Sequence, residues 1–243
     1  MMKRIIAFLA VIVLMSALTL QARTYALVVG ISRYQVEDAN LSQTTKDARS
    51  MKALLEKAVT KDVTTLTSKY ANKENIIEKF RAICNRAQKG DNIIFYYSGH
   101  GADGGLYVYD NKMLMYNEIA SLLDSSEATF KVCFIDACHS GSSATATSTG
   151  PTRKNDCVYM VGCRPEESSI ETAALGAGFF TRGLLLGLRG KADSNRDKKV
   201  SVIELFKYVY NDVVRRSNGV QHPQLIAPEK LHSAVLCNWN GKN

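Results

Sequence analysis

Four stretches of the chain are apolar at nearly every position: Thr24 to Ile31 (TYALVVGI), Asp91 to Ser98 (DNIIFYYS), Phe130 to Ala137 (FKVCFIDA) and Val158 to Cys163. Runs of this length without a polar face suit strands buried on both sides, as in parallel sheets. Val63 to Leu66 is a shorter, β-branched run. Between these stretches the period changes. Lys46 to Ala58 places Ala48, Met51, Leu54, Leu55 and Ala58 on one helical face, and Glu74 to Gln88 does the same with Ile76, Ile77, Phe80 and Ile83. Asn117 to Leu123, Phe179 to Leu188 and Val202 to Arg215 read as further helices. Leu106 to Met115 reads as a hairpin turning at Asp110-Asn111, and Ser233 to Cys237 as a last strand. Strands alternating with helices predict an α/β fold, with a mostly parallel central sheet covered on both faces.

Two segments depart from this alternation. Lys3 and Arg4 precede an uncharged apolar run from Ile5 to Leu20, and Gln21-Ala22 follow it. A basic start, an apolar stretch and a small residue at the end make a secretory signal peptide, so residues 1–22 are expected to be removed and 23–243 to form one exported domain, periplasmic or secreted. The apolar run is short for a full span, so membrane association is expected only if the segment is not cleaved. The second departure, about 140–155 (SGSSATATSTGPTRKN from Ser140), has no apolar period and reads as a mobile loop.

Composition narrows the functional classes. At 46% hydrophobic and 22% charged, the chain is an ordinary globular sequence. Its net charge is +8, of which Lys3 and Arg4 supply two. No basic run interleaved with aromatics and no zinc spacing accompanies that charge, so it reads as a solvated basic face and not as a nucleic-acid surface. Six cysteines are present, but a chain of this size has no need of disulfide staples. Cys133 lies within an apolar strand and reads as a small buried hydrophobe. With no C-x-x-C pair, a thiol–disulfide oxidoreductase is disfavoured.

Sites in open parallel sheets form at the carboxyl ends of the strands. Two strands here end in polar clusters: Ser98-Gly99-His100-Gly101 and Asp136-Ala137-Cys138-His139-Ser140-Gly141. If these strands are neighbours, His100 and Cys138 meet across the tips. A free thiol ionises near pH 8.5, so it needs a base to attack a peptide carbonyl at neutral pH. An imidazole takes the proton and returns it to the leaving amine. His139 is adjacent to Cys138 and its side chain is expected to point away, which leaves His100 as the base. The N–H groups of Gly101 and Cys138 are the candidate oxyanion donors.

YYSGHG (Tyr96 to Gly101) and DACHSG (Asp136 to Gly141) resemble the two signature motifs of metacaspases and related bacterial caspase-like cysteine peptidases. The likeness extends from about Thr24 to the HPQL segment ending at Leu225. It implies a caspase–hemoglobinase fold, a three-layer sandwich around the sheet, and a Cys/His dyad. Metacaspases resemble basic-specific peptidases with an acidic pocket, and Asp47, Ser98 and Asp136 match that pattern. Asp136 also lies two residues before Cys138, a spacing that puts both on one strand face. Asp47 has a second reading, as a charge in the first turn of a helix. The expected reaction is hydrolysis after Arg, then Lys, in protein or peptide substrates. Arg153 and Lys154 in the mobile loop become candidate self-processing positions. Calcium-dependent metacaspases carry an acidic run after the His motif, but Ala102 to Asp110 holds only Asp103 and Asp110. No cofactor is therefore required.

One further motif bears on calcium. Asp193, Asn195, Asp197, Ser201 and Glu204 fall at positions 1, 3, 5, 9 and 12 of an EF-hand loop. Lys198 stands where that loop wants glycine. The competing reading, which the sequence favours slightly, is a polar turn in which Ser201 and Glu204 form a capping box on the next helix. A rival to the peptidase as a whole is a catalytically silent caspase-like scaffold that binds peptides or a protein partner. Peptide ligation through the same acyl-enzyme is another.

Overall fold

A computed structural model describes residues 22–137, 157–164, 171–172 and 177–239. The central strands are β1 (Thr24–Gly30), β2 (Val63–Thr67), β3 (Asn92–Ser98), β7 (Phe130–Asp136), β8 (Cys157–Val161) and β12 (Gln224–Ile226). Between β3 and β7 lie β4 (Gly101–Ala102), β5 (Gly105–Tyr107) and β6 (Met113–Met115). Two short pairs complete the strands: β9 (Glu171–Thr172) with β10 (Ala177–Gly178), and β11 (Lys199–Ser201) with β13 (Val235–Asn238). The helices are α1 (Thr44–Ala58), α2 (Lys73–Arg86), α3 (Tyr116–Asp124), α4 (Phe179–Leu186) and α5 (Val202–Arg216).

The six central strands run in the order β12-β8-β7-β3-β1-β2, and only β12 is antiparallel to its neighbour. Alternate residues of each strand face opposite layers. Tyr25, Leu27, Val29, Phe95, Tyr97 and Ile135 pack with α2 and α3. Ala26, Val28, Ile94, Tyr96, Val132 and Phe134 pack with α1, α4 and α5. This is the three-layer, mostly parallel architecture expected, and it explains the unbroken apolar runs: β1, β3 and β7 are buried on both faces almost throughout.

Register is what matters for function. Gly30 pairs with Ser98, and Ser98 with Asp136, so β1, β3 and β7 end level with one another. The expected hairpin is present as β5 and β6, with Asn111 in the left-handed region at its turn. It is extended by β4, which directly follows His100.

The expected last strand is present and pairs with β11 in a separate ribbon. Two details differ from the sequence expectation. One edge of the central sheet is β12, three half-buried residues after a proline, too short for a period to register. The helix expected over Phe179 to Leu188 is α-helical only to Leu186, then passes into a π-turn over Gly187–Lys191, where Gly190 has φ 100°. Among the described residues, no helix is long and apolar enough to cross a membrane.

Candidate active site

Asp47, Ser98 and Asp136 come from three different elements, and all three side chains are buried. Ser98 and Asp136 face each other as the last residues of β3 and β7. Asp47 lies in the first turn of α1. That helix is moored to the end of β1, where Ser32 Oγ accepts from the Thr45 amide at 2.9 Å and serves as the cap that Gln43 does not provide. Ser98 Oγ donates to Asp47 Oδ2 at 3.4 Å. Asp47 is therefore a first-turn carboxylate that also faces the strand tips.

The far wall is the start of α4, which sequence reasoning did not connect to the site. Gly178 N–H donates to Asp47 Oδ2 at 3.3 Å. Thr181 donates twice to Asp136 Oδ2, from its amide at 3.1 Å and its hydroxyl at 2.7 Å. Asp136 thus occupies the N-terminal end of a helix, where orphan amides and the helix dipole favour negative charge. Behind it, the buried Tyr96 hydroxyl lies 2.6 Å from Thr181 Oγ1. Burial, then the charges of Asp47 and Asp136, push the Tyr96 phenol well above its usual range. It therefore stays protonated and donates to Thr181, whose hydroxyl is then free to donate to Asp136. Gly178 sits between the carboxylates: a Cβ there would lie 2.8 Å from Asp136 Oδ2 and 3.7 Å from Asp47 Oδ2.

His100 follows β3 by two residues and is half-buried. Its Nε2 is 2.8 Å from the Ala39 carbonyl oxygen. A carbonyl can only accept, so Nε2 carries the hydrogen, and in the neutral ring Nδ1 is the acceptor. The His100 amide donates to the Tyr34 hydroxyl at 2.8 Å, and the two rings lie 5.0 Å apart. The single Tyr97 hydroxyl hydrogen is shared between the His100 and Tyr107 carbonyls, tying the backbone of the motif to the hairpin. Gly99 is required by the same crowding, because a Cβ would lie 2.5 Å from the Tyr97 hydroxyl. Gly101 begins β4, opposite Leu106.

Cys138, Arg153 and Lys154 lie outside the described residues, as does all of the 140–155 loop. The described chain reaches Ala137, one peptide bond short of Cys138. There the buried Cys163 thiol donates to the Ala137 carbonyl at 3.2 Å. The five described cysteines are all free and buried, with Cys133 in the core as expected.

The EF-like segment is folded on itself. Asp193 and Asn195 side-chain oxygens accept from the Asp197 amide, Asp193 also from Lys198, and Asp197 from Lys199. Lys198 is in the left-handed region that glycine would favour. Ser201 and Glu204 form the capping box of α5. Among the described residues, no group of three or more His, Cys, Asp or Glu is placed to hold a metal.

The strands β1, β3 and β7 thus end level, with polar residues at their tips and His100 just beyond β3. The family model described as the caspase domain matches residues 23–232. The chain belongs to that family. A probable protease of a Desulfuromonadales bacterium is 27% identical, over 89% of this chain and 33% of its own length. The chain thus spans about a third of the curated relative it matches. The solved structure of a Geobacter sulfurreducens protein shares the fold, with a TM-score of 0.65 at 21% identity over 87% of this chain and 97% of its own.

Proposed function

We propose that the protein is a cysteine endopeptidase that cuts after Arg, and second after Lys, with Cys138 as nucleophile and His100 as general base. The observation that carries this reading is the convergence of Asp47, Ser98 and Asp136 around Gly178, at the tips of the strands that lead to His100 and Cys138. Both dyad residues lie two positions beyond the register pair Ser98–Asp136. Neighbouring strands are about 4.8 Å apart, so two such positions suit a hydrogen-bonded dyad.

In the reaction, the Cys138 proton passes to Nδ1 of His100 as sulfur bonds to the scissile carbonyl carbon. The oxyanion so formed is held by the Gly101 and Cys138 amides. Collapse of the intermediate breaks the C–N bond, and His100 returns the proton to the leaving amine. Water, deprotonated by His100, then releases the acid from the thioester. The arginine side chain before the cut lies between Asp47 and Asp136. A guanidinium offers planar paired donors to carboxylates and relieves their mutual repulsion. Self-cleavage at Arg153 or Lys154, and export with loss of residues 1–22, belong to the same proposal.

The test compares wild type with Cys138→Ala on peptide reporters carrying Arg, Lys or Asp before the cut, with intact mass recorded. Turnover after Arg and Lys that vanishes in the variant supports the reading. Faster cleavage after Asp overturns the specificity. A Cys138→Ala chain still cut at Arg153 or Lys154 during purification overturns self-processing. Equal silence of both proteins favours a peptide-binding scaffold.

A further inference from the structure

A cavity of about 810 Å³ opens at the other end of α1 and α4, between the C-terminal half of α1, the π-turn after α4 and the end of β13. Asp47 and Lys57 are ten residues apart on α1, about 15 Å along the helix, so this cavity is separate from the acidic pocket. Its size is within the range of small-molecule sites, roughly 300–1,000 Å³. Leu54, Leu186, Leu188 and the Trp239 indole supply its apolar wall. The cations Lys57, Arg189 and Lys191 also line it, and among the described residues no acidic side chain does. All three are exposed, and none is ion-paired with another described residue.

The wall is built and held. Trp239 Nε1 donates to Asp193 Oδ2 at 3.0 Å, and the Trp239 amide donates to the Lys198 carbonyl at 3.0 Å. A Cβ at Gly190 would lie 2.3 Å from the indole, so the ring rests directly on the π-turn. That turn brings Arg189 and Lys191 to the same cavity.

We infer that this cavity binds a free single-chain amphiphile with an anionic head, a fatty-acid-like carboxylate whose chain lies on the Leu54, Leu188 and Trp239 wall and whose head meets Lys57, Arg189 and Lys191. Three cations complement an anion, and the nearby Asp193 carboxylate is already committed to the Trp239 indole and to the Asp197 and Lys198 amides. An acidic peptide suits the site less well, because its backbone N–H and C=O groups need partners. Among the described residues, the one neutral polar side chain on the wall whose hydrogen-bonding groups are not committed elsewhere is Asn238.

Trp239 is the sole tryptophan of the chain, so its fluorescence reports the site directly and independently of peptidase activity. The full protein is titrated with dodecanoate, and in parallel with dodecyltrimethylammonium and with phosphatidylglycerol vesicles. A saturable spectral shift with dodecanoate alone is expected, weakened at least tenfold in Arg189→Glu/Lys191→Glu and unchanged in Asp136→Asn. Both reversed positions are exposed, so the fold is expected to persist, and far-UV circular dichroism checks it. An equal response to the cationic amphiphile, no saturable shift, or indifference to charge reversal overturns the inference. Binding to vesicles without binding to monomeric dodecanoate overturns the free amphiphile in favour of a membrane. A response that appears only after residues 240–243 are removed overturns the inference in favour of those residues as the occupant.

Discussion

Two regions of this chain gather carboxylates, and they do so in opposite ways. In the segment from Asp193 to Glu204 the acidic side chains accept mainly from amides two to five residues away, and Glu204 caps the helix that follows. At the strand tips, Asp47 and Asp136 are 89 residues apart in sequence. They meet only because α1, β7 and α4 converge, and their donors are 45 to 131 residues distant. The local cluster is explained by the stability of a turn. The distant one buries two like charges near each other, an arrangement that local backbone requirements do not produce. Spacing along the chain offered the first as either a calcium loop or a capped turn, whereas only topology brings the second together.

The comparison is broken most severely at Asp136. Replacing it with Ala is expected to lower kcat/KM for an Arg reporter by about a hundredfold or more, since truncating one partner of a buried charged contact costs about 2–5 kcal/mol. Gly178→Ala comes next. Its methyl would meet Asp136 Oδ2 at 2.8 Å, so KM for Arg peptides is expected to rise at least tenfold, while alkylation of Cys138 by iodoacetamide keeps its rate. Thr181→Val removes the hydroxyl link between Tyr96 and Asp136 but keeps the amide donor. The loss of about 1.5–3 kcal/mol expected for one hydrogen bond to a charged group is a rise of roughly tenfold or more in KM, with kcat nearly unchanged.

The smallest effect sharpens the other half of the comparison. Glu204→Ala is expected to cost about 1 kcal/mol of stability through the lost cap and to leave turnover unchanged, with or without calcium; calorimetry is expected to show no calcium heat. Burial would raise the Glu204 carboxyl, but hydrogen bonds from Ser201, Ser194 and Asn195 outweigh it and hold the group below its ordinary 4.5. A depressed carboxyl stabilises the fold above its unfolded value, and that contribution is lost as pH falls through the folded one. The gap between wild type and Glu204→Ala in thermal unfolding should therefore be full at neutral pH and close below about pH 4.5. A gap that widens in acid would contradict the capping role.

Much of this was legible in the sequence, for definite reasons. Strands buried on both faces leave unbroken apolar runs, so β1, β3 and β7 were readable to within a residue or two. Their polar endings marked the site because a sheet of parallel strands carries its chemistry at the tips. What the sequence did not reveal were contacts with no side-chain signature. The Ala39 carbonyl fixes the His100 tautomer through a backbone atom. Gly178 and Thr181 begin an ordinary apolar helix, and nothing in GFFTRG points to a carboxylate 45 residues earlier. β12 was too short to show a period, and the π-turn at Gly187–Lys191 continues the apolar spacing of α4, so the two looked like one helix.

The most direct measurement of the central claim is the ratio of kcat/KM for two peptide reporters that differ only in arginine or citrulline before the cut. Citrulline keeps the shape of arginine and lacks its charge. If Asp47 and Asp136 form the specificity pocket, wild type should prefer arginine by about a hundredfold, and Asp136→Asn should lose most of that preference. Equal cleavage of the two peptides by wild type, or a preference that survives Asp136→Asn intact, would contradict the account.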